Sequence, residues 1–298
     1  MRNLMRVSFR RWMRQQSTLY CLIAVICCSV VNCVTVYSEK VIGTPDFDAG
    51  LFRLLMTCAM LITCAAVLLS RSESDPVRNA VIAGYSKAHI LLAEIPAALL
   101  FACIAALVML LPMLRQPAVL QRFPAGCLLL GAFGILLMFC AAALLTLICS
   151  LNLNSRILAV LFAAGCLLGG IPASDALCKS LMEQKTLAAA QFLPDENHEI
   201  HLRITDELPN PDYISPPNRT AVTALTLLLP QSAVTLTELY LETGIIPESE
   251  YAYQEKEILS WQREQCESLL RLLPLFELCM IMLIIWLGLL GFRNRDMN

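Results

Sequence analysis

The dominant pattern along this chain is a series of long apolar runs, separated by segments that hold most of the charged residues. A helix that crosses about 30 Å of hydrocarbon needs about 20 mostly apolar residues. We predict six such helices, of which the fifth is short: Leu19–Val36, Leu51–Leu69, Ala88–Leu114, Gly126–Leu151, Ile157–Ile171 and Leu269–Phe292. The pattern therefore predicts an all-α membrane protein, with spans 1–5 in residues 19–173 and span 6 with a tail in residues 269–298.

Composition supports this class and excludes several others. Hydrophobic residues make up 57% of the chain and charged residues 15%, whereas soluble domains are about 25% charged. The net charge of −2 leaves no basic face for a nucleic acid. Most of the 14 cysteines lie inside apolar runs without CxxC spacing, so we interpret them as small hydrophobic residues. We predict neither a metal site nor a catalytic residue.

Lysine and arginine residues in the short connections indicate the orientation, because cytoplasmic loops carry an excess of both. Placing the N-terminus inside assigns most of them to the cytoplasm, including Arg2, Arg6, Arg10, Arg11, Arg14, Arg71, Arg78, Lys87, Arg156, Arg293 and Arg295. We therefore expect a multi-pass protein with both termini cytoplasmic.

Residues 1–18 are predicted to form an amphipathic helix. Arginines recur every four residues, while a neighbouring face carries Met5, Phe9, Trp12 and Met13. Such a helix can lie in the headgroup layer, with its guanidinium groups on anionic lipid. The alternative is a plain basic anchor for the first span.

The predicted inner loop between spans 2 and 3 contains a short helix within residues 75–84. Asp75 and Pro76 are typical of a helix start, and Gly84 is typical of a helix end because it tolerates a left-handed backbone. Such a helix suits docking onto a partner, although an ordinary connecting loop remains the alternative.

Residues 174–268 are predicted to form a mainly helical extracytoplasmic domain between spans 5 and 6. The segment holds 16 acidic and 6 basic residues. We expect a short strand at His198–Leu202 and apolar helices such as Ala221–Leu229. The acidity of this segment would raise the local concentration of cationic ligands. The alternative is a solvated outer surface that binds no charged substrate.

Three features together resemble the ABC-2 type permeases of bacterial ABC exporters. The loop reads Arg78-Asn79-Ala80-Val81-Ile82-Ala83-Gly84-Tyr85-Ser86-Lys87, similar to the family's Arg-Asn-Lys-Leu-Ile-x-Gly-x-Ser-Arg. Asp75-Pro76 stands where the family has Gly-Thr, and Ala80 replaces its lysine. The tail from Gly291 to Met297 resembles the family's Phe-Arg-x-Lys-Asp ending, and the six-span layout is shared.

The resemblance implies that the short inner helix couples the chain to an ABC ATPase subunit. It implies coupling contacts at Glu73, Val77, Arg78, Asn79, Val81 and Ile82. It also implies a second permease copy or a paralogue, and a location in the bacterial plasma membrane. The chain has no G-x-x-x-x-G-K-[ST] motif, so we expect ATP and Mg²⁺ on the partner ATPase and none on this chain.

Two glutamates lie inside predicted spans, where carboxylates are costly and tend to face a bundle interior or a water-filled cavity. Glu94 and Glu277 are therefore candidates for the translocation path. For Glu94 we favour the alternative that it reaches the interface. For Glu277 the alternative, local pairing with Arg271, stays open.

Two further pairs are candidates for helix packing and for a covalent link. Gly165 and Gly169 form a GxxxG pattern, which permits close helix approach either at a dimer seam or within one bundle. Cys178 and Cys266 flank the predicted outer domain and would form a disulfide there or remain free thiols.

The resulting hypothesis is a permease that exports an amphipathic or lipophilic compound, such as a peptide antibiotic or a drug. The alternative is a non-transporting membrane sensor or mechanotransmission subunit whose outer domain binds a ligand.

Overall fold

The computed structural model describes residues 2–36, 48–70, 84–115, 119, 123–152, 156–194, 200–245 and 253–295. The structure is predominantly helical. The helices are α1 (Arg2–Arg14), α2 (Gln16–Val31, continued by a π-helical turn to Val36), α3 (Ala49–Leu69), α4 (Lys87–Arg115), α5 (Ala125–Asn152), α6 (Arg156–Leu181), α7 (Pro216–Leu228), α8 (Ser232–Ile245) and α9 (Tyr253–Arg295). The strands are β1 (Thr186–Pro194) and β2 (Ile200–Pro209).

Six of these helices are long and apolar enough to cross a membrane, as the apolar runs predict. They are α2 with its π-helical turn, α3, α4, α5, α6 and α9. The two helices that flank the acidic segment extend beyond their apolar runs. α6 continues to Leu181 instead of ending near Ile171, and α9 begins at Tyr253 instead of near Leu269. Buried residues such as Cys178, Leu181 and Cys266 continue the inward faces, so packing extends these helices where hydropathy alone marks an end.

Helix α5 forms the centre of the bundle. It packs against α3, α4, α6, α8 and α9, and most of its residues are buried. Small residues allow this close packing. A Cβ on Gly134 would lie 2.7 Å from Leu273 Cδ2 of α9, so there is no room for a side chain at this position. Close helix contact at small residues is a common way to pack membrane helices, where water exclusion supplies no driving force.

Helix α1 packs against α4 and α2 at one end of the bundle. At helical spacing Met5, Phe9, Trp12 and Met13 lie on one side of this helix, as the sequence pattern predicts, but they differ in burial. Trp12 is only 3% exposed and belongs to the core, whereas Phe9 and Met13 are exposed. The helix is therefore an integral part of the bundle, and its placement in the headgroup layer stays a prediction.

The segment between α6 and α9 contains a β-hairpin followed by the helix pair α7–α8. β1 and β2 pair in antiparallel fashion from Thr186↔Pro209 to Pro194↔Ile200, with an irregularity at Ala189/Ala190. The predicted strand at His198–Leu202 overlaps the start of β2, and residues 195–199 lie outside the described part. α7 contains the predicted helix at Ala221–Leu229 except for its last residue.

Candidate functional site

Helices α7 and α8 meet at a bend of 108°, and the local sequence explains it. Pro230 lacks an amide hydrogen and disfavours helical geometry in the preceding residue. Leu229 is accordingly extended, with φ −85° and ψ 115°. The chain turns at Gln231 and starts α8 at Ser232, which packs against α3, α5, α6 and α9. The pair has the form of a broken span or a re-entrant loop.

A charged cluster joins α8 to two spanning helices, with Arg53 at its centre. Arg53 Nε and Nη2 donate hydrogen bonds to the two carboxylate oxygens of Glu238 on α8, each at 2.6 Å. Arg53 Nη1 donates to Asp175 Oδ1 on α6 at 2.7 Å. The other Asp175 oxygen lies 3.0 Å from Lys179 Nζ. This two-pronged arginine–carboxylate geometry gives the strongest hydrogen bonds between charged side chains.

Burial differs sharply across this cluster. The Glu238 side chain is 3% exposed, whereas that of Lys179 is 62% exposed. Asp48 caps the start of α3 by accepting a hydrogen bond from the Leu51 amide at 2.9 Å, which places Arg53 in the first turns of that helix. Because a buried carboxylate is costly without a cation, Arg53 secures α8 to α3 and α6.

A small cleft adjoins the Arg53 cluster and has about 260 Å³ of empty space, part of it open to the outside. Its lining combines polar and apolar residues: Arg53, Thr57, Met60, Met138, Ile171, Gln231, Val234 and Thr235. Nearby, Ser174 Oγ bonds to the hydroxyls of Ser232 at 3.2 Å and Thr235 at 3.0 Å. The cleft therefore presents guanidinium, hydroxyl and amide groups beside apolar side chains.

Gln231 is held at the bend by the backbone of α6. Its Nε2 donates to the Leu167 carbonyl at 3.1 Å, and its side chain occupies the space beside Gly170. A Cβ on Gly170 would lie 2.5 Å from Gln231 Oε1, whereas a Cβ on the adjacent Gly169 would meet nothing within 4 Å. Gly170 therefore allows the bend to approach α6.

These neighbouring glycines offer a matched test of that packing. Alanine at either position gains up to about 1 kcal/mol of helix propensity, but only Gly170→Ala displaces Gln231. We expect Gly170→Ala to be about 1–3 kcal/mol less stable than Gly169→Ala, the typical cost of overpacking. Thermal unfolding of the monomeric protein in detergent measures the difference, and equal stabilities would contradict this account of the bend.

A second ion pair lies where α1 meets α4. Arg11 Nη2 donates to Glu94 Oε1 at 2.8 Å and to Oε2 at 2.7 Å, and Trp12 Nε1 donates to Oε2 at 3.2 Å. Gln15 Nε2 donates to the Ser70 carbonyl at the end of α3, at 2.8 Å. Glu94 is buried within the protein and fixes α1 to α4. Its position at the membrane interface stays a prediction.

Glu277 lies on the buried face of α9 and is 1% exposed. Neither of its carboxylate oxygens has a hydrogen-bond partner among the described residues. Arg271, considered above as its partner, lies 3.8 Å from Glu267 instead. The structure thus places Glu94 and Glu277 in different surroundings, one paired and one unpaired.

Gly165 and Gly169 lie on an open face of α6, where added Cβ atoms would meet nothing within 4 Å. Among the described residues, no helix of this bundle packs closely against that pair. Cys178 and Cys266 are both buried and both free thiols in this structure, and the Cys266 sulfur lies 3.8 Å from that of Met182. Their disulfide stays a prediction.

The predicted coupling residues lie outside the described part of the chain: Glu73, Val77, Arg78, Asn79, Val81 and Ile82. Gly84 is described, and its φ of +83° is the left-handed conformation expected at a helix end. Across the described ranges, no group of three or more His, Cys, Asp or Glu side chains is arranged to hold a metal ion.

Sequence reasoning missed the Arg53 cluster. The sequence analysis assigned no role to Arg53, and Asp175 and Glu238 counted only toward the acidity of residues 174–268. The available signal was the position of Arg53 inside an apolar run, since a charge there needs a partner. Its partner could not be identified, because Glu238 is 185 positions away.

The structure therefore provides six candidate spans, a bent helix pair secured by Arg53 and an N-terminal helix secured by Glu94. Comparisons of the chain with protein-family models, with curated proteins and with solved structures give no match.

Proposed function

We propose that this chain is the permease subunit of an ATP-driven ABC exporter. The supporting observation is how the ends of α3 and α4 are held. Gln15 binds the backbone of Ser70 at the end of α3, and Arg11 binds Glu94 near the start of α4. The loop between these helices carries the Arg78-Asn79 pattern. A force applied to that loop would reach the bundle directly, because α1 and Gln15, the residue that follows it, bind both of the helices that flank the loop.

The proposal assigns ATP and Mg²⁺ to a separate ATPase subunit and leaves this chain without catalytic residues. Both termini and the loop would be cytoplasmic, in a bacterial plasma membrane. The α7–α8 pair, at the end of the bundle that holds the start of α3, would then face outward. The exported compound would be amphipathic or lipophilic, such as a peptide antibiotic or a drug.

A second permease copy or a paralogue would complete the transporter. The open face at Gly165 and Gly169 supports this part of the proposal, because small residues let a second helix approach closely. Large apolar residues such as Leu161, Phe162 and Leu168 are exposed along the same helix. The alternative is that lipid contacts this face.

The decisive experiment is recovery of an ATPase subunit with the tagged chain from its native membrane. We expect the combined change Arg78→Glu and Asn79→Asp to abolish that recovery, because it removes a cation and an amide from the docking loop. Membrane insertion and yield should not change. Immunoblotting or mass spectrometry of the purified complex provides the measurement.

Arg115→Glu is the matched control, since it reverses one exposed charge at the other end of α4. It should leave the ATPase bound. Undiminished recovery with the double variant would refute the docking role of this loop. Absence of any ATPase with the wild-type chain would favour the alternative, a membrane sensor or mechanotransmission subunit that does not transport.

A further inference from the structure

Glu277 occupies a position that the helix pattern of α9 reserves for an apolar side chain. Buried residues recur along one face of this helix at spacings of three and four: Leu270, Leu273, Glu277, Ile281 and Ile284. This spacing defines the face that packs into the bundle. Glu277 is thus part of the core of the protein, about midway along that face, and its carboxyl group does not lie at an exposed end.

The carboxyl group has no stabilising partner in the described part of the bundle. Both oxygens are buried and neither accepts a hydrogen bond. Every other route for holding a charge in the membrane, through a cation, a backbone amide or water, requires such a contact. Arg53 and Arg11, by contrast, each bind a carboxylate elsewhere.

The neighbouring titratable groups do not supply a positive charge. Cys140 of α5 lies near enough to interact with Glu277 through space, and Cys103 of α4 lies 3.7 Å from the Cys140 sulfur. On α8, Glu238 binds Arg53, and Tyr240 donates a hydrogen bond to Glu267. On α7, Arg219 donates to the Leu181 carbonyl, and on α9 itself Arg271 lies beside Glu267.

We infer that Glu277 is an internal proton-binding site, which holds one proton at neutral pH in the packed bundle described here. An isolated carboxylate in an apolar interior is so unfavourable that the group takes up a proton instead. Binding forms one O–H bond on a carboxylate oxygen with a proton from water, and release returns that proton to water. Release puts a charge in the core, so it requires water or a cation to reach the carboxylate.

This inference is independent of the transport proposal, because it concerns only the protonation of one buried side chain. Infrared spectroscopy of the protein at neutral pH, in a detergent that contains no carbonyl group, tests it. The wild-type chain should show the carbonyl band of a protonated carboxyl group, and Glu277→Gln, which is neutral and similar in shape, should lose it. Glu264→Gln, an exposed position on the same helix, should keep the band at full intensity.

A wild-type spectrum without the band, or a Glu277→Gln spectrum that retains it, would overturn the inference. Labelling of the wild-type protein with a lipid-soluble carbodiimide, which adds to protonated carboxyl groups, serves if the variant does not fold. Mass spectrometry should then find the adduct on Glu277 and not on the ion-paired Glu94 or Glu238. No adduct on Glu277, or equal labelling of all three, would count against a protonated Glu277.

Discussion

Arg53→Met is expected to lower the free energy of unfolding by about 3–5 kcal/mol, the usual cost of leaving one member of a buried ion pair alone. The variant would retain Glu238 in the core without the two hydrogen bonds of 2.6 Å that now neutralise it. α8 should therefore separate from α3 and α6 at a lower temperature. Thermal unfolding of the purified protein in detergent measures the shift.

Two further variants separate the ion pair from a general loss of packing. Arg53→Met combined with Glu238→Leu replaces the pair with apolar side chains, which is often neutral or stabilising, so most of the lost stability should return. Arg271→Met removes an arginine that is 67% exposed and 3.8 Å from its partner, and such pairs contribute about 0–1 kcal/mol. If the double variant were no more stable than Arg53→Met, burial of Glu238 would not be the cause.

Glu94→Ala is expected to release α1 from the bundle. The change leaves the Arg11 guanidinium and the Trp12 indole N–H without their shared acceptor, and removal of one buried partner costs about 3–5 kcal/mol. Hydrogen exchange of the amides in residues 2–14 should accelerate, while exchange in α5 and α9 stays slow. Quenching of Trp12 fluorescence should rise because its buried ring becomes accessible.

Arg14→Met provides the control for this result. It removes a basic residue from the same helix, but Arg14 is exposed, and exposed substitutions usually stay within about 0.5 kcal/mol. Arg11→Met should reproduce the effect of Glu94→Ala, since it breaks the same ion pair from the other side. Unchanged exchange in residues 2–14 of the Glu94→Ala protein would show that other contacts hold α1.

If the proposed function is correct, these two ion pairs have complementary roles. Arg53 holds the bent pair at one end, and Glu94 holds α1 at the other. Both join elements that lie outside the central helix α5. A transporter would need to retain the Glu94 contact to transmit motion from the loop, whereas the contacts of α8 could change during opening.

The apolar runs predict the spanning helices closely for α3, α4 and α5. The same reasoning ends α6 near Ile171 and starts α9 near Leu269, so it makes both helices too short. Polar residues lie just beyond these two apolar runs. Leu181 and Cys266 are nevertheless buried, because the helices continue to pack against one another beyond the runs. Hydropathy marks where lipid can surround a helix, and tertiary packing determines where that helix ends.

The sequence by itself determined the six candidate spans, because the need to satisfy backbone groups in an apolar solvent acts locally, on each run of about 20 residues. The local sequence also ends α7 before Leu229, since Pro230 disfavours helical geometry in the residue before it. Only the tertiary structure decided which intramembrane charges are paired. Arg53 finds Glu238, Glu94 finds Arg11, and Glu277 finds no partner within the described residues. These outcomes depend on which helix faces meet across long sequence separations, and no local pattern specifies that.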